Sequence, residues 1–301
     1  MGQHVSRSEL EALHDRVREE SPGGVYGVFG PGSVTWEVAS EGICFAAGGR
    51  AALLQVALPA VAHAIMDHSA VRDGDVSGRF QRTFSNVFAI VFGPLDEALS
   101  SSLGVWKIHE RITGAGYYAN DPASLMWVHA TLMDSAILAH ETFLGPMPTA
   151  RKEAYYAEAK RFAWLFGIGD DVMPPDWRSF REYMSDMISG SQLQVGAAAR
   201  TICDGLFVAK HRAVEPITRS YRTITAALMP PDLREAFGLR WGRRDRLAWR
   251  LLRRGVSSTY PRTPARLRKA PPYLDARRRL AGKPGRDPIG AYRDRLVMSL
   301  L

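Results

Sequence analysis

The stretch DPASLMWVHATLMDSAILAHETFLGP, residues 121–146, predicts one long helix at the centre of the fold. Asp121 suits the N-cap and Pro122 the first helical position, and Gly145-Pro146 ends the run. Helical spacing relates six residues of this stretch, which are Leu125, Val128, His129, Leu132, Met133 and Ala136. This pattern is typical of a helix that is largely buried.

Further helices are predicted on both sides of this stretch. They cover residues 77–91, 149–167, 177–190, 192–211 and the region around Ala226. Short β-branched stretches such as 34–38 are too few for a substantial sheet. The sequence therefore predicts an all-α fold. We expect one helical domain over residues 1–255 and an irregular arm over 256–301, where proline and arginine are dense.

The helix predicted over residues 77–91 has two faces. Phe80, Phe84, Val87, Phe88 and Val91 form the apolar face, and Arg79, Arg82, Thr83 and Asn86 form the polar one. A polar stripe is most often a solvated surface. The alternative is a pocket in which two guanidinium groups and a hydroxyl hold an anionic group.

A second helical stripe, made of Val105, Ile108, His109 and Ile112, is apolar except for the imidazole. A buried imidazole needs partners for its ring nitrogens, and either a backbone carbonyl or a metal ion can serve. His129 lies on the apolar stripe of the central helix and is the rival candidate. The pattern alone leaves both histidines open as ligands or as core residues.

Several ordered segments resemble the haem-dependent oxygenases of the MpaB type, relatives of the latex-clearing rubber oxygenases. The resemblance covers about residues 25–190. Its segments are Arg50-Ala-Ala-Leu-Leu-Gln with Pro59, Asp67-His-Ser, Arg79-x-x-Arg82-Thr83, Val91-Phe-Gly, Ile108-His109 with Gly114, Tyr118-x-x-Asp121-Pro122 and Trp127-Val-His-Ala-Thr131. In the rubber oxygenases an Arg-x-x-Lys-Thr helix covers the distal face of haem b, and a downstream histidine is the proximal iron ligand. By resemblance Arg79, Arg82 and Thr83 are the catalytic and cofactor-binding residues, His109 is the iron ligand, and His129 also lies near the cofactor.

Two departures from the rubber oxygenases bear on the chemistry. Those enzymes carry a glutamate upstream of the arginine helix, whereas residues 62–68 here read AHAIMDH, so His63, Asp67 and His68 are candidates for the base. Arg82 replaces the lysine. A lysine can lose its proton and ligate iron, but an arginine stays protonated. We therefore expect the distal iron position to be open.

Other cofactors and compartments are less favoured by the sequence. No glycine-rich nucleotide motif is present, and Cys44 and Cys203 do not form a ligand-spaced pair. The first residues contain no apolar core of a signal peptide, and no apolar run reaches the length of a membrane span, so we expect a cytoplasmic protein.

Positive charge is concentrated near the C-terminus. Residues 234–295 carry 19 of the 39 lysines and arginines but five of the 31 acidic residues, in a chain of net charge +8. Such a block can attract an anionic membrane surface or an acidic partner, or can simply be a solvated surface. Few aromatic residues accompany it, so specific nucleic-acid binding is not expected.

The resemblance implies a haem b oxygenase that uses dioxygen, and we expect a small organic substrate. The alternative is a non-catalytic haem- or lipid-binding helical protein that docks on a membrane through the basic arm.

Overall fold

The computed structural model of the chain describes residues 4–68, 76–209, 211–283 and 285–293, without the side chains of residues 76–82 and 84. Within these residues the fold is all-α, as predicted. The helices in chain order are α1 (Arg7–Glu20), α2 (Val34–Ser40), α3 (Gly48–Ala57), α4 (Pro59–His68), α5 (Val76–Phe92), α6 (Leu95–His109), α7 (Pro122–Leu144), α8 (Thr149–Leu165), α9 (Trp177–Ser189), α10 (Ala197–Leu206), α11 (Glu215–Leu228), α12 (Pro231–Ala236), α13 (Arg243–Thr259), α14 (Ala265–Arg268) and α15 (Pro271–Leu280).

The few remaining regular segments are short. Two antiparallel strands, β1 (Thr113–Gly114) and β2 (Tyr117–Tyr118), form a small hairpin between α6 and α7. Single 3₁₀ segments occur at Gly24–Tyr26, Gly42–Ala47, Arg212–Val214 and Tyr260–Arg262.

The central helix α7 is the element around which the others pack. The Asp121 side chain accepts a hydrogen bond from the Ser124 backbone at 2.8 Å, and Gly145 ends the helix with a φ of 106°. Both ends are therefore where the sequence predicted them. Helix α7 packs against α3, α8 and the 3₁₀ segment Gly42–Ala47. The buried Trp127 donates from Nε1 to the Leu54 carbonyl at 2.8 Å and so fixes α7 on α3.

A buried ion pair ties four helices together around α7. Arg50 on α3 and Asp134 on α7 are almost fully buried, and Arg50 Nη2 lies 2.6 Å from Asp134 Oδ2. Arg50 also donates to Ser135 Oγ at 2.7 Å and to the Leu228 carbonyl at the end of α11 at 3.0 Å. Arg181 on α9 reaches the second Asp134 oxygen from the surface. Because each nitrogen of the buried guanidinium has a partner, the pair is a structural one.

Residues 34–38 have the β-branched composition of a strand, but the structure forms helix α2 there. The Ser33 side chain caps it by accepting from the Trp36 backbone at 3.1 Å. Glu158 on α8 accepts from the first two backbone N–H groups of the helix, at 3.1 and 2.7 Å. Trp36 is buried and donates to the Val91 carbonyl at 2.7 Å. Capping and tertiary packing therefore override the local strand propensity.

The prediction of an irregular arm over 256–301 was wrong for the part of it that the structure describes. Helices α14 and α15 lie there, and Pro271 takes the first turn of α15, where a missing N–H costs no helical bond. The predicted helix over 192–211 was too long, because α10 covers only Ala197–Leu206. The boundary predicted at 255 stays a prediction.

The C-terminal segment is held on the body through a buried glutamate, Glu41. Lys269 Nζ lies 2.6 Å from Glu41 Oε1, Arg268 binds the same oxygen, and the Tyr260 hydroxyl donates to Oε2 at 3.2 Å. Burial alone would raise the pKa of Glu41, but the hydrogen bonds from Lys269 and Arg268 outweigh it and hold that pKa below its usual value. We call this group the Glu41 cluster. Such internal contacts give no support to the predicted docking of the segment on an anionic surface.

No single described helix is long and apolar enough to cross a membrane. The pair Gly42–Ala57 and Pro59–His68, bent by 99°, meets the length and composition together.

Candidate functional site

Helices α5 and α6 form a hairpin that brings together the two segments the sequence singled out. Only Gly93 and Pro94 separate the helices, which pack against each other. His109 lies 15 residues after Pro94, and Arg79 lies 14 residues before Gly93. In such a hairpin, residues at similar distances from the turn lie near each other, so we expect the start of α5 close to the end of α6. The side chains of Arg79 and Arg82 lie outside the described residues, and Thr83 is half-buried.

His109 is the last residue of α6 and is half-buried. Trp106, which is 6% exposed, secures this end of the helix by donating to the Val5 carbonyl at 3.3 Å. The predicted stripe of Val105, Ile108, His109 and Ile112 is corrected in two respects. The helix ends before Ile112, and Ile108 is 62% exposed. The buried apolar anchor next to His109 is thus Trp106.

The candidates for a base lie at the end of α4, next to the β1–β2 hairpin. The Tyr117 hydroxyl donates to Asp67 Oδ2 at 2.7 Å, and His68 Nε2 lies 3.1 Å from the same hydroxyl. The hydrogen bond to Asp67 raises the pKa of Tyr117 to about 12. His63 is exposed on the same helix. Asp67 and His68 are therefore coupled through one neutral phenol, whereas His63 stands apart from them.

An apolar cavity of about 120 Å³ lies beside α7, between α2, α3, α5 and α8. Val87 and Phe88 of α5 form part of its wall, as do Val38 and Leu132. The residues with polar side chains that line it include His129, Thr35 and Tyr155. His109 is not among the described lining residues, so the two candidate histidines occupy different surroundings.

His129 is held rigidly in the wall of this cavity. Its ring stacks on Phe162, with centroids 5.4 Å apart and planes within 9° of parallel. Burial lowers the pKa of His129 to about 4, so the imidazole is neutral at pH 7. The Ala159 backbone accepts a hydrogen bond from the ring, whereas Nε2 is buried without a partner among the described residues. The unpartnered nitrogen must therefore be Nε2 with its lone pair, which is available to a ligand.

Thr35 and Tyr155 are cavity residues that the sequence analysis missed. Thr35 lies in the stretch whose composition resembled a strand, so no helical face could be assigned to it. Tyr155 lies on α8, in a sequence where tyrosines and charged residues alternate without a clear apolar stripe. Nothing in the sequence pattern distinguishes it from its neighbour Tyr156.

The described residues contain no group of three or more His, Cys, Asp or Glu side chains that could hold a metal ion. Haem brings its own ring nitrogens and asks the protein for one or two axial ligands. A single imidazole, such as that of His109 or His129, can serve as such a ligand.

Sequence comparisons identify the family of the chain. Residues 35–258 match the family described as ER-bound oxygenase mpaB/B′/rubber oxygenase, catalytic domain. Uncharacterized proteins of Mycobacterium bovis and Mycobacterium tuberculosis are each 29% identical to the chain over 157 residues. That match covers 49% of the chain and spans 60% of the length of each relative. No solved structure matches. The chain belongs to the family of mpaB-type and rubber oxygenase catalytic domains.

Proposed function

We propose that the chain is a haem b-dependent oxygenase that acts with dioxygen on a small organic substrate, and that His109 is the proximal ligand of the iron. The observation that carries this proposal is the α5–α6 hairpin. The two-residue connection and the contact between α5 and α6 support an arrangement in which His109 would lie near the turns of α5 that carry Arg79, Arg82 and Thr83. These are the segments on which the resemblance to the rubber oxygenases rests.

The protein's own groups have separate tasks in this proposal. His109 holds the cofactor, and its position at a helix end secured by Trp106 limits how far the imidazole can move. Arg79 and Arg82 suit the carboxylates of a porphyrin or a bound polar group, because guanidinium groups bind such oxygens through two parallel hydrogen bonds. Thr83 adds a hydroxyl on the same helix. The haem supplies the oxygen chemistry when it is bound.

The cavity beside α7 suits the organic substrate. Its walls are apolar, and apolar side chains with a few polar groups are the usual composition of a small-molecule site.

The proposal is tested by expressing the full chain with added haem precursor and recording its absorption spectrum and pyridine haemochrome. We expect a Soret band and non-covalent haem b. His109→Ala should lose the haem or change its ligation strongly, and free imidazole should restore part of the wild-type spectrum. His129→Ala is the matched control and should keep the iron-bound haem.

A colourless protein that takes up no haem would overturn the proposed function. Loss of iron ligation in His129→Ala, together with a normal spectrum for His109→Ala, would transfer the ligand role to His129. For a haem-loaded protein, oxygen consumption with a panel of apolar substrates then separates an oxygenase from a protein that only binds haem.

A further inference from the structure

Two buried polar atoms in the wall of the cavity, His129 Nε2 and Thr35 Oγ1, have no hydrogen-bond partner among the described residues. Tyr155 lines the same wall and carries a hydroxyl. The three residues are 5%, 7% and 8% exposed, and they come from three different helices, α7, α2 and α8. The neighbouring Tyr156 shows the usual situation, since its hydroxyl donates to the Pro174 carbonyl at 2.6 Å.

Other polar groups around the cavity have partners elsewhere. Cys44 Sγ donates to the Val38 carbonyl at 3.2 Å, and Ser135 Oγ accepts from Arg50 at 2.7 Å. Both carboxylate oxygens of Glu158 accept from backbone N–H groups of α2. Folded proteins satisfy nearly all of their buried polar groups. Two unpartnered atoms on one cavity wall that also carries Tyr155 therefore indicate that a ligand supplies the missing hydrogen bonds.

The hydrogen-bonding character of the three groups defines what that ligand must offer. The neutral His129 ring donates to the Ala159 backbone, so its Nε2 can only accept. Tyr155 is a neutral phenol, because burial raises its pKa, and it can donate; so can the Thr35 hydroxyl. A group that both donates and accepts, such as a hydroxyl, satisfies the acceptor and a donor at once.

The charge of the cavity defines the rest of the ligand. None of the described lining residues is Asp, Glu, Lys or Arg. A charged ligand would lose its hydration there and meet no opposite charge, which is strongly unfavourable. The ligand that fits is neutral, with an apolar body against residues such as Val38, Phe88 and Leu132.

We propose that the cavity binds a neutral, apolar alcohol or phenol whose hydroxyl donates to His129 Nε2 and accepts from Tyr155 or Thr35. Describing this molecule as the substrate rests on the proposed oxygenase function, whereas its binding does not. Tyr155 and Thr35 are then residues that determine specificity at this site.

Phenol and toluene are suitable probes, because they differ by a hydroxyl in place of a methyl group. Each is titrated by ligand-observed NMR into the full chain as purified, with the absorption spectrum recorded for every sample. Tyr155→Phe should weaken phenol binding about three- to tenfold, the range expected for one hydrogen bond, and leave toluene binding unchanged. Thr35→Val should act in the same direction, and Thr35→Ser should retain wild-type selectivity.

Tyr183→Phe is the control, because Tyr183 is a largely buried tyrosine that is not among the described lining residues. It should change the affinity for neither probe. Circular dichroism and melting curves establish that each variant is folded, and if one variant does not fold, the other decides.

An unchanged ratio of phenol to toluene affinity in Tyr155→Phe and Thr35→Val would overturn the inference, as would a wild-type protein that binds neither probe. The outcomes for the proposed function are separate. Hydroxyl-selective binding by a protein that takes up no haem would refute the oxygenase but support the binding site. A protein that contains haem but does not discriminate between the probes would refute the binding site and support the proposed function.

Discussion

The buried His129 should make the stability of the protein depend on pH in a defined window. An unfolded chain binds a proton on this residue below about pH 6.5, the ordinary pKa of histidine. The folded chain does not bind it until the pH approaches 4, because burial disfavours the imidazolium. The stabilising preference for the neutral ring is therefore complete above pH 6.5 and is lost progressively as the pH falls towards 4.

The size of this effect follows from the shift in pKa. A tenfold change in proton affinity is worth about 1.4 kcal/mol, so the complete window is worth about 3 kcal/mol. Between pH 7 and pH 5 the loss attributable to His129 is about 2 kcal/mol. This is a large fraction of the 5–15 kcal/mol that is usual for the free energy of unfolding of a domain.

Urea unfolding at pH 7 and pH 5 measures the effect directly. Other groups also titrate in this range, so the quantity of interest is the difference between wild type and His129→Gln. The variant should lose about 2 kcal/mol less than the wild type between the two pH values. His63→Gln removes an exposed imidazole and should keep the steep decline of the wild type. Equal declines in the wild type and in His129→Gln would refute the reasoning.

Three further predictions concern the elements that position the site. Asp134→Asn should lower the free energy of unfolding in urea by about 3–5 kcal/mol, because it leaves a buried guanidinium without a counter-charge. Arg181→Gln on the exposed side should lower it by less than about 1 kcal/mol. Equal losses in the two variants would contradict the structural role of the pair. Gly93→Ala should destabilise the protein by about 1–3 kcal/mol, because its Cβ would overlap a backbone carbonyl of α5, and a neutral result in thermal unfolding would contradict the tight hairpin turn. Lys269→Met should lower the free energy of unfolding by about 1–3 kcal/mol at pH 7. That cost should shrink as acid protonates Glu41 below its lowered pKa, and a deficit independent of pH would exclude the ion pair as its source.

The sequence predicts best those elements whose ends and faces are encoded locally. Helix α7 has an aspartate cap, a proline in its first turn and a terminal glycine, and its predicted bounds agree with the structure. Helix α9 begins at Trp177, as predicted, directly after Asp176, whose side chain accepts from the Ser179 backbone at 2.8 Å. In both cases the signal lies within a few residues of the feature it determines.

The elements that were missed depend on distant residues. The sequence of helix α2 has the composition of a strand. Its first N–H groups are bound by Glu158, which lies more than a hundred residues later in the chain. The cavity is missed for the same reason, because the residues that line it come from separate helices and follow no single periodicity. The spacing of His109 and His129 made them candidates, but only the fold distinguishes their surroundings.

The Glu41 cluster has a consequence for the folding of the protein during its synthesis on the ribosome. The glutamate is synthesised 227 residues before Arg268, its partner. At ordinary translation rates of about 5–20 residues per second, this interval is on the order of 10 to 50 seconds. Throughout it the carboxylate has neither of its basic partners, so burying it would be costly and the helices around it cannot reach their final packing. The nascent chain must therefore keep apolar surface open for that time, and chaperones have a defined period in which to bind it.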